Sequence, residues 1–206
     1  SQKMGDRFGG LIMRPDLMKR LPAQSGRTAL YALLRRMLTE PIVSDHTTGP
    51  FSLAAGIERL RRTERRRGLR LIVSDFLTPG DFELDPNVEP EWERPLRRLA
   101  VRNQVLAVEV VDRHEVEFAD VGDLLIRDPE TNFERYVNTS DPAARDRMDA
   151  ASAAQRERIR VALRRAGAAH IQLRTDSDWV HDIARFVMAY RRTAGMLHQP
   201  PTGVSR

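Results

Sequence analysis

The sequence of 206 residues contains no cysteine, which excludes disulfides, thiolate metal sites and cysteine nucleophiles together. No apolar run approaches the length of a bilayer-spanning helix, and the first residues, Ser1 to Asp6, lack the apolar stretch of a signal peptide. Aromatic residues make up only 6% of the chain, so the side chains that stack on nucleic-acid bases are scarce. We therefore expect a cytoplasmic protein that is not inserted in a membrane.

Positive charge is in excess but is carried almost entirely by arginine. The chain has 34 Lys and Arg residues against 29 Asp and Glu, a net charge of +5, and its lysines are Lys3 and Lys19 alone. This balance suits an anionic partner. A GC-rich genome produces the same excess of arginine, because GC-rich codons encode it. An Arg-rich nucleic-acid-binding domain is therefore an alternative and not the main interpretation.

Apolar periodicity divides the chain into alternating helices and strands. Short runs bounded by turn residues predict strands at Phe8–Met13, Leu17–Leu21 (closed by Pro22), Leu69–Ser74, Val105–Val111 and His170–Leu173, with a hairpin around Ile126–Phe133. Helices are predicted after Gln24–Thr28, over Ser52–Arg67 and Glu91–Arg102, from Asp141-Pro142 to Arg165, and after Ser177.

Three of these helices carry an apolar stripe that predicts a face turned to the core. The stripes are Leu30, Leu33, Leu34, Met37 and Leu38 in the first helix, Leu53, Ile57 and Leu60 in the second, and Val180, Ile183, Ala184 and Val187 in the last. The alternation predicts an α/β fold with a mostly parallel sheet and helices on both faces. We expect one domain over residues 1–198 and a disordered tail over 199–206.

Candidate site residues follow from position in such a sheet, where ligands gather beyond the carboxyl ends of the strands. Asp75 directly follows a predicted strand, although an Asp there commonly caps a turn. Thr28 opens a helix after a loop containing Gly26, and it or Ser25 could serve as the N-cap. The run Arg59–Arg67 is predicted to place Arg59, Arg62 and Arg66 on one helical face, either as a solvated face or as a surface for an acidic partner.

Several segments, taken in order, resemble one bacterial family, the domain of unknown function fifty-eight. They cover about Gly5 to Ala194, and are Val73–Phe76, Trp92–Leu96, Val108–Asp112, Phe118–Gly122 and Asp128–Thr131. Members of that family resemble von Willebrand factor A domains and are typically encoded beside MoxR-type AAA+ ATPases. The resemblance implies a von Willebrand factor A-like fold whose metal-ion-dependent adhesion site takes a Thr, here Thr28, and an Asp, here Asp75.

The resemblance also implies an Asp-x-Ser-x-Ser motif on a first strand, which would lie before Gly5 and is not in this sequence. The metal site is then incomplete, and we expect Mg²⁺ binding to be weak or absent because two ligands do not fill its octahedral shell. The strands at Phe8–Met13 and Leu69–Ser74 would both flank the missing strand. We therefore expect a chain that is unstable alone or self-associates through open strand edges.

The function implied by the resemblance is a non-catalytic protein-interaction domain, an adaptor that acts with a MoxR-type AAA+ ATPase on client proteins. The five histidines are scattered, and no HExxH, P-loop or Gly-x-Ser-x-Gly motif is present. The alternative from another class is a metal-dependent phosphoesterase or nuclease using Asp75. That alternative needs further carboxylates converging on Asp75.

Overall fold

The computed structural model of the chain describes residues 6–14, 17–40, 52–77, 88–113, 122–127 and 134–196. Seven strands and five helices lie within these ranges. In chain order they are β1 (Arg7–Arg14), β2 (Leu17–Ser25), α1 (Arg27–Leu38), α2 (Leu53–Thr63), β3 (Leu69–Ser74), α3 (Glu93–Ala100), β4 (Gln104–Val111), β5 (Asp123–Arg127), β6 (Glu134–Asn138), α4 (Pro142–Arg165), β7 (Ala169–Arg174) and α5 (Trp179–Met196). The protein is therefore a mixed α/β chain, and its predicted tail over 199–206 lies outside the described residues.

A three-stranded parallel sheet in the order β3-β4-β7 forms the centre of the fold. β3 and β4 are parallel neighbours, with Leu71 opposite Leu106, as expected for a mostly parallel sheet. A parallel pair requires a crossover connection, and α3 lies within it. On the other side of β4, Val108 lies opposite Ile171 of β7.

The two faces of this sheet are covered unequally. One face, through side chains such as Ile72 and Ala107, joins a large apolar core built with α2, α3 and α4. The other face carries a small cluster of Val108, Ile171 and Leu173, against which Phe186 of α5 packs. Helices therefore lie on both faces, as predicted, but α5 alone covers the second face among the described elements.

The first two strands form a separate antiparallel hairpin that pairs with no other strand among the described residues. β2 continues through Pro22 to Ser25, past the predicted end at Leu21, because the register shifts between Phe8 and Gly10. A bulge of this kind tolerates the N–H that proline lacks. Met13 anchors the hairpin on α2, where its sulfur occupies the space that a Cβ at Gly56 would need.

Two predicted elements match closely. The hairpin expected around Ile126–Phe133 is present as antiparallel β5 and β6, and residues 128–133 at its tip lie outside the described ranges. The helix predicted from Asp141-Pro142 to Arg165 is α4, whose Asp141 carboxylate accepts a hydrogen bond from the Ala143 N–H at 3.0 Å. No described helix is both long enough and apolar enough to cross a membrane.

Three predictions about helices are wrong. The helix α2 ends at Thr63 and not at Arg67, because the carbonyls of Glu64 and Arg66 accept hydrogen bonds from the Arg70 guanidinium. Arg66 therefore lies outside the helix that was predicted to align it with Arg59 and Arg62. The stripe of α1 is not buried, since Leu38 is 86% exposed.

The predicted inner face of α5 is also exposed: Val180, Ile183, Ala184 and Val187 all lie at the surface of the described chain. Phe186 makes the contact with the sheet instead. An apolar stripe indicates which face of a helix is suited to burial. In α5, however, the described residues do not supply a surface that buries this face.

Candidate functional site

The loop that follows β3 holds Asp75 in a turn defined by local hydrogen bonds. Its Oδ1 accepts from the Leu77 N–H at 3.1 Å and from the Ser74 hydroxyl at 3.3 Å. The Ser74 hydroxyl oxygen also accepts from the Phe76 N–H at 3.1 Å. Asp75 therefore stabilises its own turn, which is the ordinary role for an Asp after a strand, while its side chain stays exposed.

The buried side chain of Phe76 holds this loop against the apolar core. Its φ of 59° lies in the left-handed region, which bulky residues rarely adopt. The conformation persists because the ring is fully buried and packs edge-on against Trp92, with ring centroids 5.2 Å apart. The buried Trp92 Nε1–H also donates to the Phe76 carbonyl at 3.0 Å. These contacts hold Asp75 at the carboxyl end of β3 on a rigid support.

Thr28 is the second residue of α1, and both Thr28 and Asp75 are exposed. Neither Thr28 nor Ser25 caps the helix, because the N-cap is Gly26, with φ of 92°, and no side chain makes the capping hydrogen bond. The hydrogen bonds that the structure gives to Asp75 come from its own loop. The assignment of Thr28 and Asp75 as metal ligands stays a prediction.

The donors available do not make a Mg²⁺ site by themselves. Thr28 and Asp75 would supply two oxygen ligands, whereas Mg²⁺ demands near-octahedral coordination. Within the described ranges, no three His, Asp or Glu side chains are grouped so that they could hold a metal ion.

A buried acid that was not singled out from the sequence lies beside this loop. Glu109 of β4 is opposite Ser74 of β3, on the face covered by α2, α3 and α4, and is only 2% exposed. Its Oε2 lies 2.8 Å from Nε2 of His170 on β7. A Glu inside the apolar run Val105–Val111 is the signal that could have found it, since a buried carboxylate needs a partner.

One side of β3 is uncovered and forms the open face, which consists of Leu69, Leu71 and Val73. These side chains are 62%, 56% and 59% exposed, whereas Ile72, which points to the opposite face, is 7% exposed. β3 is also an edge strand, paired only with β4 among the described strands. The open face thus combines an apolar row with a free edge of backbone N–H and C=O groups.

The arginine groove is a second surface feature, at the C-terminal ends of α2 and α3. It is a concavity of about 370 Å³ lined by Arg61, Arg62, Glu64, Arg65, Arg98, Arg102 and Asn103. Because α2 leads into β3 and α3 leads into β4, these helix ends lie at the amino end of the parallel strands. Asp75 lies at the carboxyl end, so the groove and the Asp75 loop occupy opposite ends of the sheet.

Comparison with known proteins gives a family but no activity. A family model described as "Protein of unknown function DUF58" matches residues 1–158. The chain is 43% identical over 195 residues to "Uncharacterized protein Mb1516" of Mycobacterium bovis, which covers 95% of this chain and 57% of that protein. It is 43% identical over 177 residues to "Uncharacterized protein MAV169" of Mycobacterium avium, covering 86% of this chain and 97% of that protein.

The chain therefore spans little more than half the length of the Mycobacterium bovis relative. No solved structure matches it significantly. The family match covers well over half of the chain and agrees with the resemblance carried by the segments around Asp75 and Trp92. The chain belongs to the family described as Protein of unknown function DUF58.

Proposed function

We propose that this chain is a non-catalytic protein-interaction domain that holds a partner polypeptide on the open face and free edge of β3. The observation that carries the proposal is the exposure of Leu69, Leu71 and Val73 in a strand whose other face is buried. A row of apolar side chains beside unpaired backbone groups is the surface to which a further strand or helix binds.

The size of the available stabilisation supports this use. Complete burial of a Leu or Val side chain contributes about 1.5–3 kcal/mol, and each of the three residues has more than half of its surface left to bury. Covering the open face would therefore contribute roughly 3–5 kcal/mol before the costs of association. That amount suits a reversible contact, provided that backbone hydrogen bonds along the edge add to it.

The partner proposed is a MoxR-type AAA+ ATPase, and the chain would act as an adaptor between that ATPase and its clients. The support for this partner is the family resemblance, and the fold proposed with it is the von Willebrand factor A type. The parallel order of β3 and β4 and the position of Asp75 at a strand end are compatible with that fold. Asp75 would then lie at the rim of the binding surface, at the carboxyl end of the same strand.

The alternative function, a metal-dependent phosphoesterase or nuclease, gains no specific support. It requires carboxylates converging on Asp75, and the described residues contain no such group of three. Glu109, the nearest acid along the sheet by register, is buried and hydrogen-bonded to His170. The exposed apolar row of β3 therefore favours the interaction function.

The test uses Val73→Asp on the open face and Val101→Asp as the matched control. Both valines are exposed, at 59% and 81%, but Val101 lies at the C-terminal end of α3, away from β3. Binding to a purified MoxR-type ATPase would be measured by interferometry. We expect Val73→Asp to weaken binding at least about tenfold, the effect of about 1.4 kcal/mol, with little change for Val101→Asp.

Two results would count against the proposal. One is an ATPase that binds the wild-type chain and the Val73→Asp variant equally well, because the open face is then not the contact. The other is the absence of binding to the ATPase at all, which removes the proposed partner. Thermal unfolding of each variant establishes that a loss of binding is not a loss of folding.

A further inference from the structure

We propose that the arginine groove binds a compact anion made of linked phosphoryl groups, either free or as part of a larger phosphate ester. The groove lies at the amino end of the parallel strands, whereas the proposed docking surface is the open face of β3. The two proposals rest on different residues, so neither depends on the other.

The balance of charge in the groove favours an anionic ligand. Five of its seven lining residues are arginines, and its one acid, Glu64, already pairs with Arg20 at 2.7 Å. Arg61 and Arg62 share Glu58, at 2.7 and 2.9 Å. The lining of the groove therefore carries more positive than negative charge.

Three guanidinium groups remain available for the ligand. Arg65, Arg98 and Arg102 make no ion pair with any acid in the described ranges of the chain. Arg65 comes from the segment after α2, and Arg98 and Arg102 come from the end of α3. Holding like charges together on one concave surface is unfavourable in the absence of a counter-charge. A polyvalent anion would relieve that repulsion and could accept several charge-assisted hydrogen bonds at once.

The backbone that carries these arginines is held in place. The Arg70 guanidinium donates to the Glu64 carbonyl at 3.2 Å and also to the Arg66 carbonyl, which fixes the segment containing Arg65. Asn103 donates through Nδ2 to the Leu99 carbonyl at 2.9 Å, which closes the C-terminal end of α3 next to Arg102. A preformed arrangement reduces the entropy lost when a ligand binds.

The composition of the groove selects phosphate over other anions. Among the described residues, no aromatic or aliphatic side chain lines it, so these residues offer nothing for a nucleobase to stack on. An extended acidic peptide carries one charge per residue, about 3.3–3.6 Å apart, and would leave much of its charge outside a cavity of about 370 Å³. Linked phosphoryl groups concentrate several charges in a small volume, and their oxygens match the planar fork of arginine.

Calorimetry with inorganic triphosphate as the probe tests the proposal. We expect saturable binding of one triphosphate per chain. The double variant Arg98→Gln with Arg102→Gln should weaken it at least about tenfold, because two charge-assisted contacts are lost. Arg65→Gln alone should weaken triphosphate binding by a smaller factor. This variant tests the contribution of the segment after α2, whereas the double variant tests the end of α3.

The matched control is the double variant Arg27→Gln with Arg35→Gln, which removes the same charge from exposed positions on α1. It should leave triphosphate binding within about twofold of wild type. Equal weakening by both double variants would overturn the proposal, because the binding would then reflect the net charge of the chain. The absence of saturable binding would also overturn it.

Competition distinguishes the remaining ligands. If hexaglutamate or a short DNA duplex binds the chain more tightly than triphosphate, it displaces triphosphate from the groove. In that case the groove is a surface for an acidic protein or a nucleic acid, and the phosphate assignment is wrong. If a nucleoside triphosphate and inorganic triphosphate compete equally, the phosphoryl chain alone is recognised, as proposed.

Discussion

The buried pair of Glu109 and His170 makes the sharpest prediction about stability. The Glu109 side chain is only 2% exposed, and its Oε2 lies 2.8 Å from the His170 Nε2. The change His170→Ala removes that partner and leaves a carboxylate buried without it. Leaving a buried polar group without its hydrogen-bond partner costs about 1–3 kcal/mol, and more when the group is charged. Because Glu109 is almost fully buried, we expect a loss near the upper end, about 3 kcal/mol.

A second substitution should recover part of the stability that His170→Ala removes. Adding Glu109→Leu to His170→Ala removes the unpaired carboxylate and fills the site with an apolar side chain of similar size. The double variant should therefore be more stable than His170→Ala alone, although it carries two substitutions. A loss of about 3 kcal/mol corresponds to roughly 6–12 °C in melting temperature for a chain of this length.

Urea unfolding followed by the fluorescence of the fully buried Trp92 would measure both effects. Glu109→Leu alone serves as the reference, and we expect it to change stability by no more than about 1 kcal/mol, because the freed His170 nitrogen can reach water. The reasoning fails if His170→Ala costs less than about 1 kcal/mol, or if the double variant is less stable than His170→Ala.

Three further predictions concern other parts of the chain. A Cβ at Gly9 would lie 2.8 Å from the Ala23 Cα, so Gly9→Ala should lower the melting temperature by an amount equivalent to about 1–3 kcal/mol, whereas Gly10→Ala, whose nearest contact is an ordinary 3.5 Å, should be nearly neutral. Hydrogen bonds from two neighbouring arginines lower the pKa of Glu58 to about 2 from 4.5, so its stabilising contribution is complete above pH 4.5 and is lost as the pH falls towards 2. The unfolding free energy of Glu58→Gln should therefore fall less than that of wild type over that interval of an acid titration. Val73→Asp should reduce any self-association seen by sedimentation over a concentration series, and unchanged association would exclude the open face as the contact between copies.

Much of the central fold could be predicted from the sequence because its signals are local. β3 matches its predicted bounds, Leu69–Ser74, because a short β-branched run between a glycine and an aspartate is a local strand signal. The same run is typical of a strand buried on both faces, and that expectation is wrong, since Leu69, Leu71 and Val73 are exposed. The helix α4 matches because Asp141 and the following proline form a strong start signal. By contrast, α2 ends earlier than predicted, at Thr63, and the Arg70 guanidinium binds the carbonyls of Glu64 and Arg66 just beyond it.

The candidate site was predictable only where one residue was enough. Asp75 was placed at a strand end from the sequence, but the left-handed Phe76 beneath it and the hydrogen bond from Trp92 depend on packing between residues 16 apart. Glu109 and His170 are separated by 61 residues, and only the register of β4 and β7 brings them together. Local patterns carry no information about such register.

The arginine groove illustrates the same limit. The sequence pointed to a face made by Arg59, Arg62 and Arg66 of one helix. The groove instead combines Arg62 with Arg98 of a different helix and with Arg102, just beyond the end of that helix. Packing of α2 against α3 creates the concavity, so the arrangement of these arginines could not be read from one periodic stripe.

Two uncovered apolar surfaces lie on the same side of the sheet, and one partner could satisfy both. The helix α5 packs on the face that includes Val108, and Val180, Ile183 and Val187 on that helix are 58%, 37% and 40% exposed. Leu71 and Val73 belong to the same face, because Val73 lies opposite Val108 in the parallel register. The stripe on α5 predicted burial, and the described residues leave that burial incomplete on the side of the sheet where β3 is also open. A polypeptide lying along β3 on this face would therefore cover the open face and lie beside α5, which gives the proposed interaction domain a single binding surface with two apolar sides.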